Sequence, residues 1–239
     1  MNTISSKKNP IFTHFSKLIS SASYRYCCQS AVISGDILIQ EISSFLPIKT
    51  LISHQEIYLK AEKSFICEPS LLKTMAKLPS IQGALAEIAL PSFVSLSSKK
   101  KIALFDTITD PGNMGTLIRS AKAFGIEGIH ITKGSCDPFN DKVIRSSKGA
   151  VFSLPISYEP FTPLDTSPFR MLLADMGGKS CHNISLHSPF CIVLSNETRG
   201  LDPKWHGEKI SIPINKGVES LNVGVAGSIL FYQFSGVQC

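Results

Sequence analysis

Apolar residues alternate along this chain between two styles of run. After residue 101, short unbroken apolar stretches bounded by turn residues alternate with stretches whose apolar positions repeat at helical spacing. Ile102–Phe105, Gly128–Thr132, Arg170–Ala174, Pro189–Leu194 and Lys209–Ile212 read as strands. Asn113–Phe124, Asp137–Ser147, Pro203–His206 and Glu219–Phe234 read as helical or helix-starting segments. Strand and helix in turn predict an α/β domain with a parallel sheet covered on both faces. Upstream, the same reading predicts a helix over Phe12–Ala22, short strands at Ala31–Ile33 and Thr50–Ile52, a helix over Glu68–Ala76 beginning near Pro69, and a strand at Ala84–Ala89. This is a second, small α/β module. The polar and basic stretch SLSSKKK follows a break at Pro91 and ends at Lys101. The expected division is therefore residues 1–95, a linker at 96–101, and residues 102–239.

Composition adds a few constraints. With 239 residues, 43% of them hydrophobic, the chain can build one large or two modest cores. No uninterrupted apolar run of about 18 residues appears, and the opening MNTISSKKNP lacks the apolar block of a secretory signal, so a soluble cytoplasmic protein is expected. Seven cysteines, at 27, 28, 67, 136, 181, 191 and 239, form no CxxC pair and no ligand pattern with the six histidines. Neither zinc nor any other metal is expected, and scattered thiols suit a reducing compartment. The net charge of +6 is uneven: residues 1–101 hold 12 Lys+Arg against 6 Asp+Glu, and residues 102–239 hold 12 against 12. That asymmetry suggests a polyanion held by the first part, with an ordinary solvated basic surface as the plain alternative.

The segment VESLNVGVA, Val218–Ala226, sets polar Glu219, Ser220 and Asn222 at the start of an apolar helical run. Capping by Ser or Asn explains such groups on its own. Two further segments accompany it: DPGNMGTLIRSAKAFGI over 110–126 and IVLSNETRGL over 192–201, ahead of SIPINKGVESLNV over 211–223. In this order and spacing the three resemble the motifs of the SpoU/TrmH family of S-adenosylmethionine-dependent RNA 2′-O-ribose methyltransferases, over residues 102–239. The resemblance implies a C-terminal SPOUT domain with a trefoil knot, which spacing alone does not reveal. The upstream module, with Lys17, Leu18, Arg25 and QGALAEI over 82–88, looks like the L30e-like substrate-binding domain of many such proteins, with Ser34–Gly35 where members usually show Glu–Gly.

Moving a methyl from a sulfonium to a ribose hydroxyl calls for in-line positioning and removal of a proton. By resemblance, Asn113 and Arg119 carry the family's catalytic Asn and Arg. Arg119 is either the base or a phosphate-binding, ribose-orienting group, because a guanidinium, with a pKa above about 12, ordinarily stays protonated. Leu194, Ser195 and Gly200 would contact the S-adenosyl-L-methionine cofactor through backbone, Glu197 would organise their loop or act in the catalytic site, and Ile212 and Leu221 would wall an adenine. Ser220 and Asn222 match an active-site pair. Ser195 departs from the family, which has Gly there, and a Cβ at that point could crowd the cofactor or forbid a positive φ. In KVIRSSKGA, Lys142, Arg145 and Lys148 are expected to contact RNA phosphates, as is Arg25 upstream.

The upstream module points to ribosomal RNA by family analogy, with transfer RNA as the alternative substrate. A non-catalytic RNA-binding or ribosome-assembly protein is the competing class, against which stand Asn113, Arg119 and Asn222, all present. A dehydrogenase is disfavoured because no GxGxxG follows Ile102–Phe105. The helix Glu219–Phe234 carries Val223, Val225, Ala226, Ile229, Leu230, Phe231 and Phe234, an apolar set wider than one stripe, with Gly224, Gly227 and Ser228 permitting close approach. Burial within one subunit explains this. So does a homodimer through the C-terminal domain, which the resemblance implies, with Arg119 of one chain serving the cofactor of the other.

Overall fold

The elements follow one another as β1 (Asn2–Ile4), α1 (Pro10–Ser20), α2 (Ala22–Cys28), β2 (Ser30–Ser34), α3 (Asp36–Ser43), β3 (Ile48–Ser53), β4 (Ala61–Cys67), α4 (Pro69–Ala76) and β5 (Leu85–Ala89). There follow β6 (Lys101–Asp106), α5 (Pro111–Ala123), β7 (Gly128–Ile131), α6 (Asp141–Ser146), β8 (Ile156–Ser157), β9 (Arg170–Ser180), β10 (Phe190–Ser195), β11 (Glu208–Ser211) and α7 (Val223–Phe234). The computed structural model from which they are taken describes residues 2–77, 83–158, 167–186, 189–196 and 200–235. The chain divides into a first unit, Met1–Pro91 with Phe139–Gly149, and a second, Ser92–Pro138 with Ala150–Cys239. Residues 139–149 thus belong to the first unit, although they lie inside the stretch that the sequence assigns downstream.

In the first unit the sheet order is β1-β4-β3-β5-β2. Strands β1, β4 and β3 are parallel, and β5 runs antiparallel to both β3 and β2. Asn9 caps α1 by accepting from the Ile11 N–H, and Pro10 sits in the first turn, where its missing N–H is no loss. The expected helix Phe12–Ala22 is in fact two, because Ser21 is extended and its hydroxyl caps α2 through the Tyr24 N–H. Helices α1 and α4 bring Phe12, Phe15, Leu18, Leu72 and Met75 into a core with Ile52 and Leu85 of the sheet. Helix α6 packs against β2, and Ser34 Oγ donates to Asp141 Oδ1 at 3.2 Å. Gly149 ends this returning segment at φ +73°, where an added Cβ would lie 2.7 Å from Ile42 Cδ1 and 3.1 Å from Leu38 Cδ1 of α3. Only glycine suits both demands.

In the second unit all six strands are parallel, in the order β11-β9-β10-β6-β7-β8. Strand β10 is buried from Phe190 to Leu194, as an unbroken apolar run in a doubly covered sheet should be. One face, with Ile102, Leu104, Cys191 and Val193, packs into a core with Trp205. On the other, α7 lies close to α5 and β10, because Gly227 leaves no Cβ that would sit 2.2 Å from Leu117 and 2.8 Å from Leu194. Strand β9 runs beyond its expected end. Its pairing with β11 jumps from Leu173 to Lys179, and at Gly178 a Cβ would lie 2.4 Å from the Lys209 backbone.

Two expected helices are corrected. Residues 203–206 form a turn, in which Asp202 accepts from the Lys204 and Trp205 N–H groups instead of starting a helix. Helix α7 begins at Val223 and not at Glu219, because Asn222 is the capping residue. Among the described residues, no helix is long and apolar enough to cross a membrane.

Candidate functional site

Strands β9, β10 and β11 end at a common edge, and the chain that follows each of β10 and β11 folds over that edge. Open parallel sheets bind ligands there. The result is a cavity of about 290 Å³. Leu194 and Ser195 at the end of β10 line it, as do Gly200, Ile212 and Leu221, so all five residues expected to contact a cofactor share one wall. Ser220 joins them, together with Val223, Ala226 and Leu230 of α7. Ala174, Asp175 and Met176, from the stretch of β9 that leaves the ladder, complete it. Sequence reasoning missed these three, since their strand pattern gives no sign that β9 departs from its partner.

Asp175 is the only charged side chain among the described residues of this lining. Its carboxyl is held below the ordinary carboxylate range, chiefly by the Lys209 ammonium at 2.9 Å and also by the Gly177 N–H at 2.8 Å. Ser195 ends a regular strand and is not among the residues of positive φ, so its side chain imposes no backbone strain. Gly200 does take φ +67°. It makes the left-handed turn of the loop.

Helices α5 and α7 bring the first and third motifs together. Asp110, and not Asn113, is the cap of α5: its carboxylate accepts from the Asn113 N–H at 2.8 Å. Asn113 lies within the first helical turn. Its Oδ1 accepts from Asn222 Nδ2 at 2.9 Å, while Asn222 Oδ1 caps α7 through the Gly224 and Val225 N–H groups. Capping and site assembly are thus one arrangement, and the cap is Asn222, not Ser220. A second bridge, Ser120 to Ser228 at 2.7 Å, ties the helices about two turns further along α5. Arg119 is exposed on α5 and does not line the cavity. Glu197 lies outside the described residues.

The expected RNA contacts separate. Arg25 is corrected: it is only 3% exposed, and its guanidinium donates to the carbonyls of Leu18 and Ile19, at 2.5 and 3.2 Å. It closes the C-terminus of α1, whose last carbonyls lack helical partners. Lys142 and Lys148 are exposed on the segment that returns to the first unit, and Arg145 is half-buried there. Arg145 is held by Asp141, with Nε and Nη2 donating to Oδ2 at 3.0 and 2.8 Å. Arg145 and Lys148 face Ser34, Gly35 and Ile37 across a groove of about 480 Å³ within that unit.

Comparison with known proteins adds three findings. The sequence model of the SpoU rRNA Methylase family matches residues 100–232. The chain is 32% identical over 151 residues to a 23S rRNA (guanosine(2553)-2′-O)-methyltransferase of Bacillus subtilis, covering 59% of this chain and 60% of that protein. It is 31% identical over 145 residues to a 23S rRNA (uridine(2479)-2′-O)-methyltransferase of Streptomyces viridochromogenes, covering 54% and 50%. The chain therefore spans less than two thirds of the length of these curated relatives. Among solved structures, an AdoMet-bound rRNA methyltransferase of Sinorhizobium meliloti superposes with a TM-score of 0.84 over 97% of this chain and 96% of that one, at 22% identity. The SpoU methyltransferase AviRb of S. viridochromogenes, in complex with AdoMet, gives 0.83 over 95% and 97%, at 23% identity. At such identities the likeness is one of fold.

Proposed function

The chain belongs to the SpoU rRNA methylase family, and from that premise we propose that it transfers a methyl group from S-adenosyl-L-methionine to a ribose 2′-OH in structured RNA. Ribosomal RNA is the favoured substrate, since the two curated relatives carry that substrate in their names. The carrying observation is the convergence of the second and third motifs on one cavity, with the first motif tied to it through Asn113 and Asn222.

The residues of the cavity fit the cofactor. Leu194, Ile212 and Leu221 offer the apolar walls that a flat adenine needs, and the strand end at Leu194–Ser195 offers backbone groups for its edge. The Asp175 carboxylate suits a ligand that carries positive charge. When bound, S-adenosyl-L-methionine supplies the electrophilic methyl group. Asn222 then holds the Asn113 side chain in place, Ser220 lies beside the cavity opening, and Arg119 takes the ribose and phosphate side of the RNA. Glu197 keeps its proposed role in the cofactor loop.

Because Arg119 is exposed and stands off the cavity of its own chain, we place it in the site of a second chain. The homodimer would form over α5 and α7, where Val225, Ile229 and Tyr232 make a stripe 48, 38 and 68% exposed. The trefoil knot is proposed for the chain around the second and third motifs, threaded through a loop to form the cofactor pocket. The first unit is read as the L30e-like RNA-binding module, with Lys142, Arg145 and Lys148 on backbone phosphates, and the cytoplasm as the place of action.

The decisive experiment maps 2′-O-methyl positions in ribosomal and transfer RNA with and without the gene. A ribosomal position that loses its methyl group, and regains it when purified protein and S-adenosyl-L-methionine are added, is the expected result. Full methylation at every position in both backgrounds refutes the proposal. For the dimer, mixing an Arg119→Ala chain with a Leu221→Asp chain should restore activity that neither has alone.

A further inference from the structure

Asp106 is the last residue of β6, opposite Ser195 in the sheet register, and is 3% exposed. A carboxylate so buried needs full hydrogen bonding to be tolerated. Neutral donors surround it: Trp205 Nε1 to Oδ2 at 2.9 Å, and Thr132 Oγ1 and Thr107 Oγ1 to Oδ1 at 3.0 and 3.3 Å. Thr107, next along the chain, is held at φ +58°, a region a β-branched residue enters only when its surroundings enforce it. In that conformation its carbonyl accepts from Asn196 Nδ2 at 3.5 Å, and the same amide donates to Thr109 Oγ1 at 3.1 Å. Asn196 follows the end of β10, and Trp205 precedes β11. Both ends of the connection between those strands are therefore fastened to Asp106–Thr109. Between them, the Gly200 N–H donates to the Asn196 carbonyl at 3.0 Å, Leu201 packs against the core that contains Trp205, and Gly200 and Leu201 both line the cavity.

We propose that Asp106 is a positioning residue, which through Trp205 clamps the cofactor side of the cavity to the end of β6 and thereby sets the affinity for S-adenosyl-L-methionine. The proposal rests on the function given above. The clamp has a second consequence. Thr109 leads directly into Asp110, the cap of α5, so one strand end sets the cofactor loop and the helix that carries Asn113 in register with each other. An apolar residue at 106 would fill the same place, but would leave the Trp205 N–H and the Thr132 hydroxyl without their acceptor.

Trp205→Phe keeps an aromatic ring in the core and removes the N–H donor, together with part of the indole's volume. Asp106→Leu keeps about the same volume and removes the acceptor of all three donors, whereas Asn would keep an oxygen for Trp205 and turn its amide N–H to the threonine hydroxyls, which accept as well as donate. Calorimetry of the full chain with S-adenosylhomocysteine should show about tenfold weaker binding in each, the scale of one hydrogen bond to a charged group, with RNA affinity unchanged. The double variant should lose no more than the weaker single one, because both break the same bond. In the cofactor-free protein, amide exchange over residues 200–205 should rise by about tenfold or more in Trp205→Phe. Cofactor affinity within twofold of wild type in both single variants, or unchanged exchange, overturns the clamp. Should Asp106→Leu fail to fold, Thr109→Val removes one of the bonds that hold Asn196, at an exposed position, and should weaken cofactor binding about threefold or more; no change there also overturns it. Wild-type protein that binds no S-adenosylhomocysteine sinks the proposed function instead, and exchange then judges the clamp by itself.

Discussion

The two sheets of this protein use their polar residues differently. In the all-parallel sheet, β9, β10 and β11 end along one edge, and the residues there face a cavity: Leu194, Ser195, Ile212 and Asp175. In the mixed sheet, antiparallel β5 breaks such an edge, and polar groups are occupied by the fold itself. Arg25 closes α1. His14 stands between Tyr24 and Glu87 at 3.0 and 3.1 Å, and Asp36 accepts from the Ala84 N–H at 2.8 Å. Parallel strands all release their chain at the same end, where loops converge, so chemistry collects there. The first unit has its exposed cations elsewhere, on its own loops and elements, as at Lys60, Lys63 and Lys73, and on a segment borrowed from later in the sequence, at Lys142 and Lys148.

The strongest test of this contrast is Arg119→Ala. Methyl transfer should fall by about a thousandfold, within the range for loss of a group acting in the transition state, while cofactor affinity stays within about twofold. Turnover like that of wild type removes Arg119 from the reaction, and lost cofactor binding makes it part of the cavity instead. Next in size is Gly227→Val, which forces a side chain into Leu117 and Leu194. Denaturant unfolding should show a loss of about 2–3 kcal/mol, near the upper range for overpacking. Gly200→Ala meets no atom of the described residues within 4 Å, so its φ of +67° is what resists and the loss should be about 1 kcal/mol. Equal losses would mean that helix α7 is not held as tightly as the geometry requires.

A smaller effect is expected in the first unit. Replacing Lys142 and Lys148 by Gln should weaken RNA binding several-fold and make its salt dependence shallower by about one to two charges, with cofactor affinity unaltered. A salt slope identical to that of wild type would leave the returning segment as an ordinary solvated surface. The smallest effect is that of Ser195→Gly. The backbone at 195 is extended and unstrained, so cofactor affinity measured by calorimetry should change by less than about twofold. A tenfold gain would show that the serine side chain crowds the ligand after all.

Much of the second unit was legible in the sequence because its signals are local. An unbroken apolar run such as Cys191–Leu194 announces a strand buried on both faces, and helical spacing announces α5, although its start was read at Asn113 and its cap is Asp110. Helix α2, helix α3 and strand β4 went unread. Helix α2 has only seven residues, and β4 presents two exposed residues, Glu62 and Lys63, in succession, which breaks a period-two pattern.

The motifs and their order, and with them the five residues expected against the cofactor, Leu194, Ser195, Gly200, Ile212 and Leu221, were legible in the sequence alone, whereas Ala174, Asp175 and Met176 of the same lining were not. What only the tertiary structure decided are the pairings. Asp106 meets Trp205 across 99 residues, Asn113 meets Asn222 across 109, and residues 139–149 return to the first unit. Periodicity reports which face of an element is buried, and capping reports where it starts, but neither carries the identity of the partner. That identity depends on packing shape and on which buried donors need acceptors, and both exist only once the chain has closed on itself.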